Sequence, residues 1–137
     1  MYLFINTCLE NKIVFALKEK NVIIKKEFSV KNRQMEKIIG ILDKFLNNNK
    51  IALEKISAII GVTGTGKFTA ARLGVSIANA LSYSLAIPSE GLRLGEFESI
   101  AEAFTIGEKK LKNKKSGLLC PFYDKEPNIT ATKSQNQ

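Results

Sequence analysis

Residues 56–74 read ISAIIGVTGTGKFTAARLG, and the architecture turns on how this stretch is interpreted. Ile56–Ile60 is a short apolar run of the kind that forms a buried strand. From Phe68 to Leu85 the spacing is helical and rich in small residues, among them Ala70, Ala71, Gly74, Ser76, Ala78 and Ala80. Between them lies a glycine-rich connection. Gly61, Gly66 and Lys67 match the skeleton of a phosphate-cradling loop, which also follows a strand and opens a helix.

Two interpretations of the connection stand side by side. In the first, the chain is a small P-loop-like nucleotide-binding enzyme, with backbone N–H groups at the helix start attracting the phosphates. Phe68 stands where a Mg²⁺-holding hydroxyl belongs, and Thr69 comes one residue late. On a helix that offset swings a side chain by about 100°. No later apolar strand ends in the Asp that such sites use as a second metal partner. In the second, Gly64 and Gly66 allow a tight turn with positive φ. Together with Gly74 they then let backbones approach one another closely.

Working outward, Tyr2–Thr7, Lys12–Leu17 and Val22–Val30 read as three strands joined by short polar turns, hence an antiparallel meander. Lys25, Lys26 and Glu27 suit an edge, where charge discourages unwanted pairing. The period then changes. Asn32 can cap a helix in which Met35, Ile38, Ile39, Leu42, Phe45 and Leu46 recur at helical spacing, ending in Asn47-Asn48-Asn49. Ile41 widens the apolar surface, so this helix needs two partners, one the sheet and the other open to another chain. The strand at Ile56–Ile60 follows by a crossover and is expected to lie parallel to a neighbour. Ile87-Pro88 stops the second helix. The order β-β-β-α-β-α predicts an α/β fold, a ribonuclease-H-like single lobe of the actin/sugar-kinase superfamily with a mixed sheet and packed helices. Glu96–Glu108 has helical spacing, though part of it could instead extend a strand, and the path of residues 89–120 stays open. Residues 1–123 are assigned to one domain closing on the extended segment Leu118–Tyr123, and 124–137 to a polar tail.

Composition narrows the chemistry. The 137 residues suffice for one core, and 21 Lys+Arg against 13 Asp+Glu give a net charge of +8. Such a balance suits a basic RNA-binding module or a solvated lysine-rich surface. With two cysteines, Cys8 and Cys120, and no histidine, a structural zinc site and a Ser-His or Cys-His pair are excluded. Cys8 reads as a small buried residue. No metal and no cofactor are expected. No apolar run reaches the roughly 18 residues of a membrane span, and the start MYLFINTCLE reads as a strand, so the expectation is a cytoplasmic protein without a membrane partner.

Gly64-Thr65-Gly66-Lys67-Phe68-Thr69-Ala70-Ala71-Arg72-Leu73-Gly74-Val75, followed by Ala78-Asn79-Ala80-Leu81, resembles the GPGSFTGLRIGV…AKGLA signature of the TsaB (YeaZ) family. Leu3-Phe4-Ile5-Asn6-Thr7 looks like that family's first strand, with Asn6 in place of the usual Asp. Pro121-Phe122-Tyr123 and Glu126-Pro127-Asn128-Ile129-Thr130 are similar to its closing segment. Only about thirty residues separate Pro88 from Pro121, where the family normally has a second lobe, so the resemblance implies a reduced, one-lobe form.

The resemblance implies a non-catalytic scaffold or activator for the catalytic paralogue TsaD, which places threonylcarbamoyl on an adenosine of tRNA. It implies helix-to-helix packing on TsaD, with the ATPase TsaE joining, tRNA engaged indirectly, and a homodimer through the same helices as an alternative. The partner face is then expected at Met35, Ile38, Leu42 and Phe45 on the first helix and at Thr69, Arg72, Leu73, Ser76, Ala80 and Tyr83 on the second. A helical wheel puts the second set opposite Ala70, Ala71, Gly74, Val75, Ala78, Leu81 and Leu85, which suit the sheet. Gly64, Gly66 and Gly74 are the expected glycines of the structural turn.

Overall fold

The computed structural model describes residues 1–9, 11–29, 35–64 and 68–112, with side chains in these ranges except at 35, 36 and 68–71. The expected cap at Asn32, Gly66 and Lys67 of the glycine stretch, the segment Leu118–Tyr123 and the tail 124–137 lie outside the described residues.

Alternating apolar residues build the meander. β1 (Tyr2–Asn6), β2 (Lys12–Glu19) and β3 (Val22–Ser29) pair antiparallel in sequence order. Lys20 takes the positive φ (56°) that a two-residue hairpin turn requires at its first central position. Helix α1 (Met35–Asn48) and a 3₁₀ turn (Leu53–Lys55) lead to β4 (Ala58–Gly64), which lies parallel to β1. Helix α2 (Phe68–Leu85) has the expected limits and leads to β5 (Ser89–Arg93), parallel to β4. A second 3₁₀ turn (Leu94–Glu96) precedes α3 (Ile100–Lys112). Among the described residues the sheet order is β3-β2-β1-β4-β5, which puts β3 with its Lys25, Lys26 and Glu27 at an edge.

Period-two alternation divides the core into two layers. Leu3, Ile5, Ile13, Phe15, Leu17 and Ile59 project to one face, beneath α1 and α2. Phe4, Val14, Ala16, Ile60 and Val62 project to the other, beneath α3. Phe45 of α1 stacks on Phe15 at 6.1 Å and meets Phe28 edge-on at 6.4 Å. On the far side Phe4 meets Phe97 edge-on at 5.9 Å and lies 6.0 Å from Phe104. Phe4, Phe15, Phe45 and Phe104 are buried, and each such burial contributes about 1.5–3 kcal/mol. α3 is also fastened by two ion pairs, Lys18–Glu108 and Lys110–Glu96.

Four expectations change. The strand after α1 begins at Ala58 rather than Ile56 and runs through Gly64. Gly64 is therefore a buried strand residue beside a ladder irregularity, not a positive-φ turn, and no described glycine has positive φ. Gly74 is not a turn residue either, since it lies inside α2. The order also extends beyond β-β-β-α-β-α by β5 and α3, and Glu96–Glu108 resolves into a turn followed by a helix.

Candidate helix-face interface

Helices α1 and α2 cover the same side of the sheet, and their outward faces form the candidate site. α2 lies close to the sheet because position 74 lacks a side chain. A Cβ built there would sit 2.4 Å from Oγ1 of Thr7, just beyond β1, so only glycine permits this approach. Val75, Ile77 and Ala78 complete the buried face. Both helices end in Schellman motifs. Ile51 N–H donates to Leu46 C=O and Lys50 N–H to Asn47 C=O; Ile87 N–H donates to Ser82 C=O and Ala86 N–H to Tyr83 C=O. Lys50 and Ala86 hold the left-handed positions.

On α2 four of the expected residues lie on the outward side. Arg72, Ser76, Ala80 and Tyr83 are exposed, Tyr83 at 86%, and Leu73 is half-buried. The side chain of Thr69 lies outside the described set, as does that of Met35. On α1 the assignment is corrected. Ile38, Leu42 and Phe45 are buried against the sheet, because the strongest apolar stripe of a helix goes to the largest apolar surface available.

Ile39, which is not among the expected face residues, is 51% exposed. It stands at the rim of an apolar groove of about 190 Å³ that runs from α1 to Leu81 of α2, with Leu42 and Leu46 also in its wall. Ile51 and Leu53 line it from the segment after α1. Asp43 sits on the same rim, accepting a hydrogen bond from Asn47 Nδ2 at 3.4 Å. The groove was legible only in part, through the surplus of apolar residues that Ile39 and Ile41 give to α1.

The C-terminal ends of β1 and β4 are the other place where chemistry is expected in a parallel arrangement. Asn6 is buried there, and its Oδ1 accepts a hydrogen bond from Cys8 N–H at 2.9 Å, a local turn contact. Cys8 is buried, with Sγ 3.6 Å from the Val62 carbonyl oxygen. Thr63 Oγ1 donates to Leu92 C=O at 3.4 Å. Among the described residues no group of three or more His, Cys, Asp or Glu side chains is placed to hold a metal ion. Gly61, Val62 and Gly64 have register partners in β5, and Gly61 faces Ile5 in β1 as well. Four of the seven residues of the GxxxxGK stretch are thus strand, with only residues 65–67 between β4 and α2.

Comparison with known proteins agrees with this geometry. The sequence model of the family described as "TsaD: tRNA N6-adenosine threonylcarbamoyltransferase" matches residues 29–113, well over half the chain. The "tRNA threonylcarbamoyladenosine biosynthesis protein TsaB" of Buchnera aphidicola subsp. Schizaphis graminum (strain Sg) is 36% identical over 90 residues, covering 66% of this chain and 42% of that protein. The chain belongs to the TsaD family, in its TsaB/YeaZ branch. YeaZ from Pseudomonas aeruginosa has the same fold, with a TM-score of 0.62 at 18% identity over 67% of this chain and 43% of YeaZ. A second structure, of an uncharacterized protein with similarity to peptidase YEAZ from Pseudomonas aeruginosa, matches with the same TM-score over 42% of its length. The chain therefore spans less than half the length of these TsaB and YeaZ relatives, and the structural likeness concerns one α/β lobe. No described helix is long and apolar enough to cross a membrane.

Proposed function

We propose that the chain is a non-catalytic scaffold or activator subunit in threonylcarbamoyladenosine modification of tRNA, binding a TsaD-type catalytic paralogue through the outward face of α1 and α2. The observation that carries this is the exposure of Ile39 and Tyr83, with Ile39 lining an apolar groove that the described residues leave unfilled. Tyr and Arg are frequent anchors of protein interfaces, and Arg72 and Tyr83 stand at opposite ends of the α2 face, with Ser76 and Ala80 between them small enough for close helix approach. Membership of the TsaB/YeaZ branch supports the process; the geometry supports the choice of surface. The role places the protein in the cytoplasm, with a TsaE-type ATPase joining the assembly and tRNA reached chiefly through the paralogue. Without the paralogue, the same face pairs two copies.

The nucleotide-binding alternative is less well supported, because backbone groups of Gly61–Gly64 that a phosphate loop would turn towards an anion belong to the sheet. The experiment is co-purification of the chain with the TsaD-type paralogue of the same genome. Complex formation is expected, with affinity falling at least about tenfold in Arg72→Glu and Ser76→Trp, the loss of roughly one interface anchor. Absence of the complex, or wild-type affinity in both variants, overturns the proposal.

A further inference from the structure

The layer opposite α1 and α2 carries a second surface, of different chemistry. The Lys18–Glu108 ion pair holds the end of β2 against the last turns of α3, so the β2–β3 hairpin tip and the α3 C-terminus meet at one corner. Lys20 is exposed at that tip. Lys25 lies opposite Ala16 in the β2–β3 register, and Ala16 belongs to the core beneath α3, so Lys25 is on the α3 side of the sheet. Lys109 and Lys112, three apart on α3 and both exposed, share one helix face. The nearby acids are largely matched: Glu108 by Lys18 and Glu96 by Lys110, with Glu19 left beside the tip. A helix C-terminus favours cations, which accounts for lysines on α3 but not for those on the hairpin. The corner also has a concave part, a pocket of about 390 Å³ whose walls include Tyr2, Lys18, Lys20 and Asn21 as well as Glu19 and Glu108.

We propose that this corner is a binding surface for an RNA phosphodiester backbone, with Lys20, Lys25, Lys109 and Lys112 as the phosphate contacts. Exposed lysines position a polyanion without reading its sequence. Because α3 and the α1/α2 pair lie on opposite faces of the sheet, RNA held at the corner leaves the helix-face interface free. The inference rests on the proposed role in tRNA modification only for the identity of the RNA.

The test is fluorescence anisotropy of the full chain with an unmodified tRNA transcript at about 50 mM salt and upward. Binding is expected, weakening steeply with salt. Reversing all four lysines to Glu is expected to lower affinity at least about tenfold and to flatten the log–log salt slope by about 3. An equal reversal on the other layer, at Lys26, Lys37, Lys44 and Lys50, is expected to act less than about twofold, which separates location from net charge. Absence of tRNA binding, equal losses in the two variants, or binding to phosphatidylserine-containing vesicles in place of tRNA overturns the inference. Co-purification of each variant with the TsaD-type paralogue distinguishes the two proposals: the corner variant should keep wild-type affinity for the paralogue, whereas Arg72→Glu should weaken that complex and keep tRNA.

Discussion

Gly74 and Thr7 are in mutual contact across the junction of α2 and β1, with room for a hydrogen but not for a methyl group. The clash a Cβ would make at 2.4 Å is with Oγ1 of a residue that is fully buried, so the hydroxyl has little space in which to move. Gly74→Ala should therefore destabilise the fold by about 1–3 kcal/mol, the usual range for overpacking, despite the gain in helix propensity. Urea denaturation checks this. Thr7→Ala removes the obstructing atoms, and the double variant should be more stable than the sum of the two single effects allows. Simple additivity would mean that α2 shifts as a body and that the contact does not set its height above the sheet.

Ile38 and Ile39 are chain neighbours with opposite fates, 0% and 51% exposed. Ile38→Ala should cost about 2–5 kcal/mol, as buried large-to-small changes do, and Ile39→Ala less than about 1 kcal/mol. Thermal unfolding of both variants decides the matter. Similar losses at the two positions would place α1 in a different rotation about its axis and would remove Ile39 from the proposed interface.

The same pair marks the limit of what the sequence discloses. Periodicity in Ile38, Leu42 and Phe45 identifies an apolar stripe, but not whether it meets the sheet or another chain; only the packing of Phe45 on Phe15 and Phe28 decides that. The meander is legible because β1 and β2 are apolar with short polar turns between strands, and α2 because small residues and Pro88 fix its character and its end. β5 is hidden because Ser89–Arg93 contains one large apolar residue, Leu92, and owes its extended form to pairing with β4. Gly64 misleads for a related reason. Glycine signals a turn in the absence of context, whereas pairing opposite Arg93 keeps it in the ladder.

Ala86 ends α2 at φ 54°, a left-handed conformation that costs a residue with a Cβ about 1–2 kcal/mol. Ala86→Gly should relieve part of that, stabilising the protein by about 0.5–1 kcal/mol after the greater unfolded-state entropy of glycine is subtracted. Lys50→Gly at the end of α1, where φ is 57°, should act in the same direction. Chemical denaturation of each variant provides the check. A loss of stability would show that neither Schellman turn carries the expected strain.

Glu96 supplies a pH dependence whose sign follows from its surroundings. The hydrogen bond from Lys110 Nζ, 2.8 Å from Oε2, is the main influence holding its carboxyl below the usual carboxylate range; partial burial acts the other way, and the Arg93 N–H at 3.0 Å from Oε1 adds to the lowering. A carboxyl depressed in the folded state contributes stability that is present above its unfolded pKa and is lost as pH falls through the folded value. Lys110 and Glu96 are both more than a third or about a third exposed, so the contribution is small, at most about 1 kcal/mol. Glu96→Gln should thus unfold slightly more easily than wild type at neutral pH. The difference should shrink as the solution is acidified below the ordinary carboxylate range, and it should also shrink in molar salt. Urea midpoints of both proteins, followed from neutral pH down into the acid range, test the assignment. A gap that widens on acidification would mean that the charged form of Glu96 is a burden on the fold and that α3 is held to the second 3₁₀ turn by apolar contacts alone.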